Sequence, residues 1–250
     1  MMSKPPSNQP VVSVIMPVYN GRTYLEDSIS SLVDQNDGAL EILTVDNGST
    51  DGSRDLLEEL SRKNPRIKLF DQPQRGIASA RNSGLANASG NFVTFLDQDD
   101  MCPQGTVARQ LSLLVAEPHA QAIYGLTLVT GTEHELAAPQ SVPQQQLAMT
   151  MMLSAALFRR SIFEQIGLFD PSYRLADDLD FLLRIIEADL PVVLEKNLAT
   201  VHRRHSAQAT ADLAATRSEC TKALAASLRR RRLGGKASPL NHPLVSVLTR

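Results

Sequence analysis

The sequence predicts an α/β fold, a mostly parallel sheet flanked by helices in a single domain. Three observations carry this expectation. Four short aliphatic runs are each followed by a helix candidate. Those runs are almost continuously apolar, as strands covered on both sides must be. The chain has 250 residues, 42% hydrophobic and 21% charged, with no internal repeat and no clear linker, which is enough for one sizeable core.

Val11–Met16 reads as the first strand, and Leu25, Ile29, Leu32 and Val33 then recur at i, i+4, i+7 and i+8, one face of a helix. Ile42–Val45 with Leu56, Leu57 and Leu60 repeats the unit, Ile67–Phe70 leads into a helix over Ile77–Ala88, and Phe92–Leu96 leads into Val107–Val115. Successive β–α units imply parallel strands, whose ligands bind in the loops at the strands' carboxyl ends. After Ala120–Thr127 the pattern loosens. Thr130–Gln146, with Pro139, Pro143 and three consecutive glutamines, reads as a surface loop. Order resumes with Met151–Phe158 and a turn at Asp170–Pro171. The helix from about Asp177 to Glu187, the strand Val192–Glu195 and an Ala-rich helix from about Ala207 to Arg232 complete the pattern. The expected boundaries are a loose leader at 1–10, one domain at 11–232 divided into 11–105, 106–205 and a C-terminal helix at 206–232, and a tail at 233–250.

Composition excludes several classes. The longest nearly apolar stretch, Ala148–Phe158, is broken by Thr150 and Ser154 and is too short to span a bilayer. Residues 1–10 hold Lys4 and three prolines but no apolar run, so no secretory signal is expected and the compartment reads as cytoplasmic. Cys102 and Cys220 fit a reducing environment and form no metal-cluster spacing. The net charge of −2 hides an asymmetry: residues 201–250 carry +8 and the remainder −10. The basic end reads either as a solvated helix terminus, where cations suit the dipole, or as a contact with an anionic membrane face or a phosphate-bearing substrate. Nucleic acid is not expected as a partner, because the chain is acidic overall and lacks a basic motif interleaved with aromatics.

Four loops at predicted carboxyl ends of strands are unusually polar: Pro17–Gly21, Asp46–Gly52, Gln74–Asn82 and Asp97–Asp100. Each alone has a structural reading, since Asn-Gly and Asp-Gly pairs make turns and Asp51, Ser53, Asp99 or Asp100 can cap helices. Four in succession point to a site. In Phe92–Asp100 an apolar strand runs into Asp97-x-Asp99, and residues two apart in an extended chain point the same way. Two converging carboxylates repel unless a cation lies between them, and hard oxygen ligands favour Mg²⁺ or Mn²⁺, which can hold a diphosphate. Neither Gly-x-Gly-x-x-Gly nor a Walker pattern is present, which argues against NAD and P-loop chemistry.

Together, Val14–Asn20, Val45–Ser53, Gly76–Gly84 and Phe95–Asp100 resemble, in order and spacing, the family 2 glycosyltransferases. These are inverting enzymes with a GT-A (Rossmann-like) fold that transfer a sugar from a nucleotide-sugar donor. The resemblance implies that Pro17, Tyr19, Asp46 and Arg81 surround the base and ribose, with a uracil nucleotide as first choice, and that Asp97 and Asp99 hold metal and diphosphate. Asn47 departs from the acidic residue often found at its position. Phe158–Asp170 is similar to the segment before the family's catalytic helix, and Asp177-Asp178-Leu179-Asp180 falls where relatives carry Glu-Asp-x-Asp. By that match Asp178 is the general base. Taken alone, the same residues read as a cap and acidic first turn of a helix. Asp177 replaces the usual Glu, and Leu179 stands where an aromatic often serves the acceptor. Val201–Ser206 is similar to a late segment that approaches the diphosphate, which makes His205 a candidate metal ligand or phosphate contact; a solvated His is the alternative.

The resemblance assigns 11–105 to nucleotide-sugar binding and 106–205 to the acceptor and catalysis. With no Trp in the chain, the Gln-x-x-Arg-Trp motif of processive synthases is absent, which favours single-sugar addition. A glycan or lipid-linked acceptor in bacterial surface polysaccharide or glycolipid assembly is implied, with the basic C-terminal segment at the inner face of the cell membrane. Two competing classes are a catalytically silent nucleotide-sugar-binding module and a sugar-phosphate nucleotidyltransferase, whose Gly-rich basic loop has no counterpart in Pro17–Arg22.

Overall fold

The structure is a computed structural model that describes residues 12–35, 40–130, 147–149, 152–206, 208–234 and 242–248. The expected leader and most of the Thr130–Gln146 loop lie outside the described residues. The element order is β1 (Val12–Val18), α1 (Leu25–Val33), β2 (Leu40–Asp46), α2 (Ser53–Lys63), β3 (Ile67–Asp71), α3 (Ile77–Asn87), β4 (Phe92–Phe95), α4 (Thr106–Ala116), β5 (Ala122–Thr130), β6 (Leu147–Met149), β7 (Ala156–Arg159), α5 (Ser161–Ile166), α6 (Asp177–Glu187), β8 (Val192–Arg203), α7 (Leu213–Gly234) and α8 (Pro243–Leu248).

One mixed sheet runs in the order β3-β2-β1-β4-β7-β5-β6, with β8 paired to β5. The four strands of the expected β–α units are parallel: β1 pairs with both β2 and β4, and β2 pairs with β3. The later strands bring antiparallel pairing, β7 against β4 and β5, and β6 against β5. Strand alternation sorts the core into two layers. Val12, Val14, Met16 and Val18 of β1 pack with Leu25, Ile29 and Leu32 of α1, Leu57 of α2 and Leu114 of α4. Ile15 faces the other way, into a cluster with Ala78 and Leu85 of α3, Phe163 of α5 and Phe181 and Ile185 of α6. There Phe95, Phe158, Phe163, Phe169 and Phe181 meet in aromatic contacts, for example Phe95 edge-on to Phe169 at 5.3 Å.

Three boundaries differ from the sequence reading. The last strand continues from Val192 to Arg203 because the polar Glu195-Lys196-Asn197 interruption is absorbed as register shifts against β5, after which pairing resumes at Leu198. The Ala-rich helix starts at Leu213, where Asp212 Oδ1 accepts the N–H groups of Ala214 and Ala215. Within 233–250, read as a tail, α8 places Leu244 fully buried in the aromatic layer, and His242 bonds the Leu190 carbonyl at 2.9 Å.

Candidate active site

The parallel strands β1, β2 and β4 deliver their polar loops to one edge of the sheet. Tyr19–Gly21 and Asp46–Ser53 are laced together. Thr50 N–H donates to Asn20 Oδ1 (2.8 Å), Asn20 N–H to Ser49 Oγ (3.1 Å), Gly21 N–H to Ser53 Oγ (2.9 Å) and Arg22 N–H to Asp51 (3.0 Å). Burial works against the Asp51 charge, but the Ser53 hydroxyl and the N–H groups of Arg22 and Ser53 hold its carboxyl below the usual range. Asp46 is buried and accepts the Ser49 N–H. Pro17 is buried inside β1 beside Val45, whereas Tyr19 is exposed with the Arg75 guanidinium over its ring at 5.2 Å.

Asn47 has a physical reason to differ from an acidic residue. Its amide donates to the carbonyls of Gln72 (2.8 Å) and Gln74 (2.9 Å) and accepts the Gly76 N–H (2.7 Å), tying the β2 loop to the start of α3. A carboxylate cannot donate, so an acid at 47 would face two carbonyls unpaired.

The Asp97–Asp100 segment corrects the geometric expectation of an extended pair. β4 ends at Phe95, and Asp100 N–H closes a turn on the Asp97 carbonyl at 3.0 Å. Asp97 and Asp99 consequently have different partners. Arg81, buried on α3, binds Asp97 Oδ1 (3.0 Å) with one nitrogen and Asp177 Oδ2 (2.7 Å) with another. Burial opposes the guanidinium's charge, but Asp177, Asp97 and Asp178 keep it firmly protonated. Asp178 is pushed up to about 6 by burial and by the Asp177 charge, against the pull of Arg81, and Asp97 adds to the rise. Asp178 and Asp97 thus share one electrostatic environment. Among the described residues, the Asp178 carboxylate accepts only the Leu179 N–H (2.7 Å). Leu179 packs against the core.

Asp99 instead meets His205 Nε2 at 2.9 Å, just past β8, and the imidazole lies on the Tyr24 ring at 4.6 Å. Asp100 is fully buried beneath them, bonded by His202 Nδ1 (2.9 Å) and by Arg203 N–H (3.3 Å). Burial pushes Asp100 up to about 7 despite His202, and the same contact holds His202 above its ordinary value although burial opposes it. Met101 and Val201 exchange backbone bonds of 3.0 and 2.9 Å, locking the turn to β8. Arg203 lies over the Tyr24 ring at 5.2 Å and binds Asp27 at 3.3 Å, with its Nε and second terminal nitrogen buried and without a hydrogen-bond partner among the described residues. Sequence reasoning missed Asn47 as a lock, the Asp100–His202 pair, Arg203 and Gln98. Their signal is pairing between residues 25 to 176 positions apart, which local spacing does not display.

Among the described residues no group of three or more His, Cys, Asp or Glu side chains forms a ready metal cage. Asp99 and His205 nevertheless place a hard oxygen and an imidazole together, a donor set suited to an ion whose remaining positions come from phosphate oxygens and water.

The fold and this acid-rich edge define a class first. The structure matches the mannosyltransferase PcManGT from Pyrobaculum calidifontis in complex with GDP-Man and Mn²⁺ (TM-score 0.72, 24% identity, 97% of this chain and 70% of that one). It also matches S. aureus TarS 1–349 in complex with UDP (TM-score 0.61, 23% identity, 78% and 61%). The architecture is that of a GT-A glycosyltransferase. The sequence model for glycosyl transferase family 2 matches residues 13–167, and the chain belongs to that family. It is 32% identical over 185 residues to the putative teichuronic acid biosynthesis glycosyltransferase TuaG of Bacillus subtilis, covering 72% of this chain and 73% of TuaG. An uncharacterized glycosyltransferase of Haemophilus influenzae is 40% identical over 109 residues, 43% of this chain and 44% of that protein, so the match spans less than half the length of that relative.

Proposed function

We propose that the chain is an inverting, non-processive glycosyltransferase that moves a sugar from a nucleotide-diphosphate sugar, a UDP-sugar first, to an acceptor hydroxyl. One observation carries this reading. Arg81 joins Asp97 of the β4 loop to Asp177 of α6, so that Asp178, perturbed to about 6, sits beside the loop expected to hold the diphosphate. A carboxylate near that value is mostly ionised at neutral pH and still basic enough to accept a proton. Asp178 takes the proton from the acceptor hydroxyl as its oxygen attacks the anomeric carbon. The bond from that carbon to the diphosphate oxygen breaks, and the nucleoside diphosphate leaves with the electron pair. Arg81 offsets part of the charge of Asp97 and Asp177, which limits the negative charge around the base.

In this reading Asp99 and His205, joined by Asp97, would hold Mg²⁺ or Mn²⁺, which would act as a Lewis acid on charge developing at the leaving diphosphate. Tyr19, Asp46 and Pro17 form the nucleoside side in this reading. The complexes of the structural neighbours with GDP-Man and Mn²⁺ and with UDP support a nucleotide-sugar donor and a divalent ion. The TuaG name supports a glycan or lipid-linked acceptor in cell-surface polysaccharide assembly.

We place the protein peripherally at the inner face of the cell membrane. No helix among the described residues is long and apolar enough to cross a membrane. Instead, α7 turns Leu213, Leu224 and Leu228 outward, between 49% and 65% exposed, along a face that also carries the exposed Arg217, Arg229 and Arg232 and no acid. Apolar side chains among cations suit an anionic lipid interface.

The deciding experiment begins with a thermal-shift screen of UDP-, GDP- and dTDP-sugars with Mn²⁺ to identify the donor. With that donor, Asp178→Asn is expected to lower transfer by about 10²–10⁴-fold while nucleotide affinity stays unchanged. Normal turnover in Asp178→Asn removes it from the role, and a wild type that binds the donor but releases no nucleotide from it, even without acceptor, favours a silent module.

A further inference from the structure

The side chain between the two acids of Asp97-x-Asp99 has the most unusual set of contacts at the site. Gln98 Oε1 accepts the Tyr19 N–H at 2.8 Å and Gln98 Nε2 donates to the Tyr19 carbonyl at 3.0 Å. One carboxamide therefore grips both backbone groups of a single residue, as a neighbouring strand would. The Gln98 main chain is itself pinned, because Ser28 Oγ of α1 donates to its carbonyl at 2.8 Å. A Cβ on Gly21 would fall on the Gln98 carboxamide carbon and oxygen, with Nε2 at 2.9 Å, so the grip requires glycine at 21. Tyr19 gains from such support, since its ring is exposed and, among the described residues, the ring's contact is with the guanidinium of Arg75.

We propose that Gln98, accommodated by Gly21, is a positioning residue that sets the Tyr19 ring at a fixed distance from the carboxylates of the Asp97–Asp100 turn, and so matches the site to the span from nucleoside to diphosphate. This rests on the nucleotide-sugar reading given above. Gln98 does not touch the reacting atoms. It removes the freedom that the Tyr19 loop would otherwise lose on binding, and preorganisation of this kind is read as affinity.

The proposal is tested by calorimetry of UDP and of GDP, each with Mn²⁺, on the wild type, Gln98→Ala, Gly21→Ala and the double variant, with melting temperatures measured alongside. Gln98→Ala is expected to weaken binding of whichever nucleotide the wild type takes by about tenfold, since two hydrogen bonds to the loop are lost. Gly21→Ala is expected to act by evicting the carboxamide. It should weaken binding similarly alone and by less than about twofold in the Gln98→Ala background, the non-additivity of two changes acting through one contact. Gln98→Glu keeps an acceptor for the Tyr19 N–H and loses the donor, so its affinity should fall between those of wild type and Gln98→Ala. If Gln98→Ala does not fold, the comparison of Gln98→Glu with Gly21→Ala carries the test. Unchanged affinity with only a lower melting temperature makes Gln98 a structural residue and overturns the proposal, as do fully additive effects. A wild type that binds neither nucleotide overturns the donor reading itself, and this inference with it.

Discussion

Asp178 shows how one side chain can be recruited from an otherwise ordinary helix start. Its carboxyl is raised to about 6 by burial and by Asp177, while Arg81 acts in the opposite direction. A general base works ionised, so kcat/KM should rise with pH through about 6 and level above it, and Asp178→Asn should lose that limb; a flat profile between pH 5 and 7 would place the base elsewhere. The stability consequence has the opposite sign. A folded-state value above the unfolded one means that the protonated form stabilises the fold, fully below about 4, and that this contribution is lost as pH rises through about 6. Asp178→Asn should therefore melt higher than wild type at pH 7.5, with the gap closing near pH 4. At this scale the sequence displayed the acids through the family resemblance, but not their partners: that Asp97 belongs to Arg81 and Asp99 to His205 follows from a turn that spacing alone read as an extended chain.

The β–α units were legible because a buried parallel strand and an amphipathic helix each leave a periodic apolar trace. Helix α3 shows where such a trace is thin. Its outward and inward faces differ little in polarity, yet it packs directly across β1 because Gly84 lets it approach: a Cβ there would press on Ile15 Cγ2 and lie 3.1 Å from Cγ1. Gly84→Ala should gain about 1 kcal/mol in helix propensity but lose about 1–3 kcal/mol by overpacking, because Ile15 is fully buried on a central strand and cannot yield. A lower denaturant midpoint is expected; a higher one would show that the layers separate easily. This contact matters to the site because α3 carries Arg81. Strand β8 was read at a third of its length, since its polar middle resembles a strand end, whereas its pairing with β5 continues to Arg203 and delivers His202 and His205 to the turn.

Over the whole molecule, the C-terminal segment has two roles that composition merged into one basic stretch. Leu244 of α8 is buried beside the residues that pack α6, so Leu244→Ala should cost about 2–5 kcal/mol, read as a loss in unfolding free energy. A neutral result would mean that α8 is dispensable. The α7 face acts outward instead. Wild-type protein should float with phosphatidylglycerol vesicles and not with phosphatidylcholine, and Leu224→Ser with Leu228→Ser should reduce flotation several-fold without lowering the melting temperature. Equal flotation of the variant would assign the face to something other than lipid.

By itself the sequence determined the order of the β–α units, the family resemblance and the identity of the candidate acids, because each is written locally in periodicity or in a short motif. Only the tertiary structure decided which acid pairs with which base, that Asn47 and Gln98 brace loops, and that part of the supposed tail completes the core. Those outcomes depend on contacts between residues far apart in the chain, and such contacts exist only once the sheet has brought its carboxyl edge and the end of β8 together.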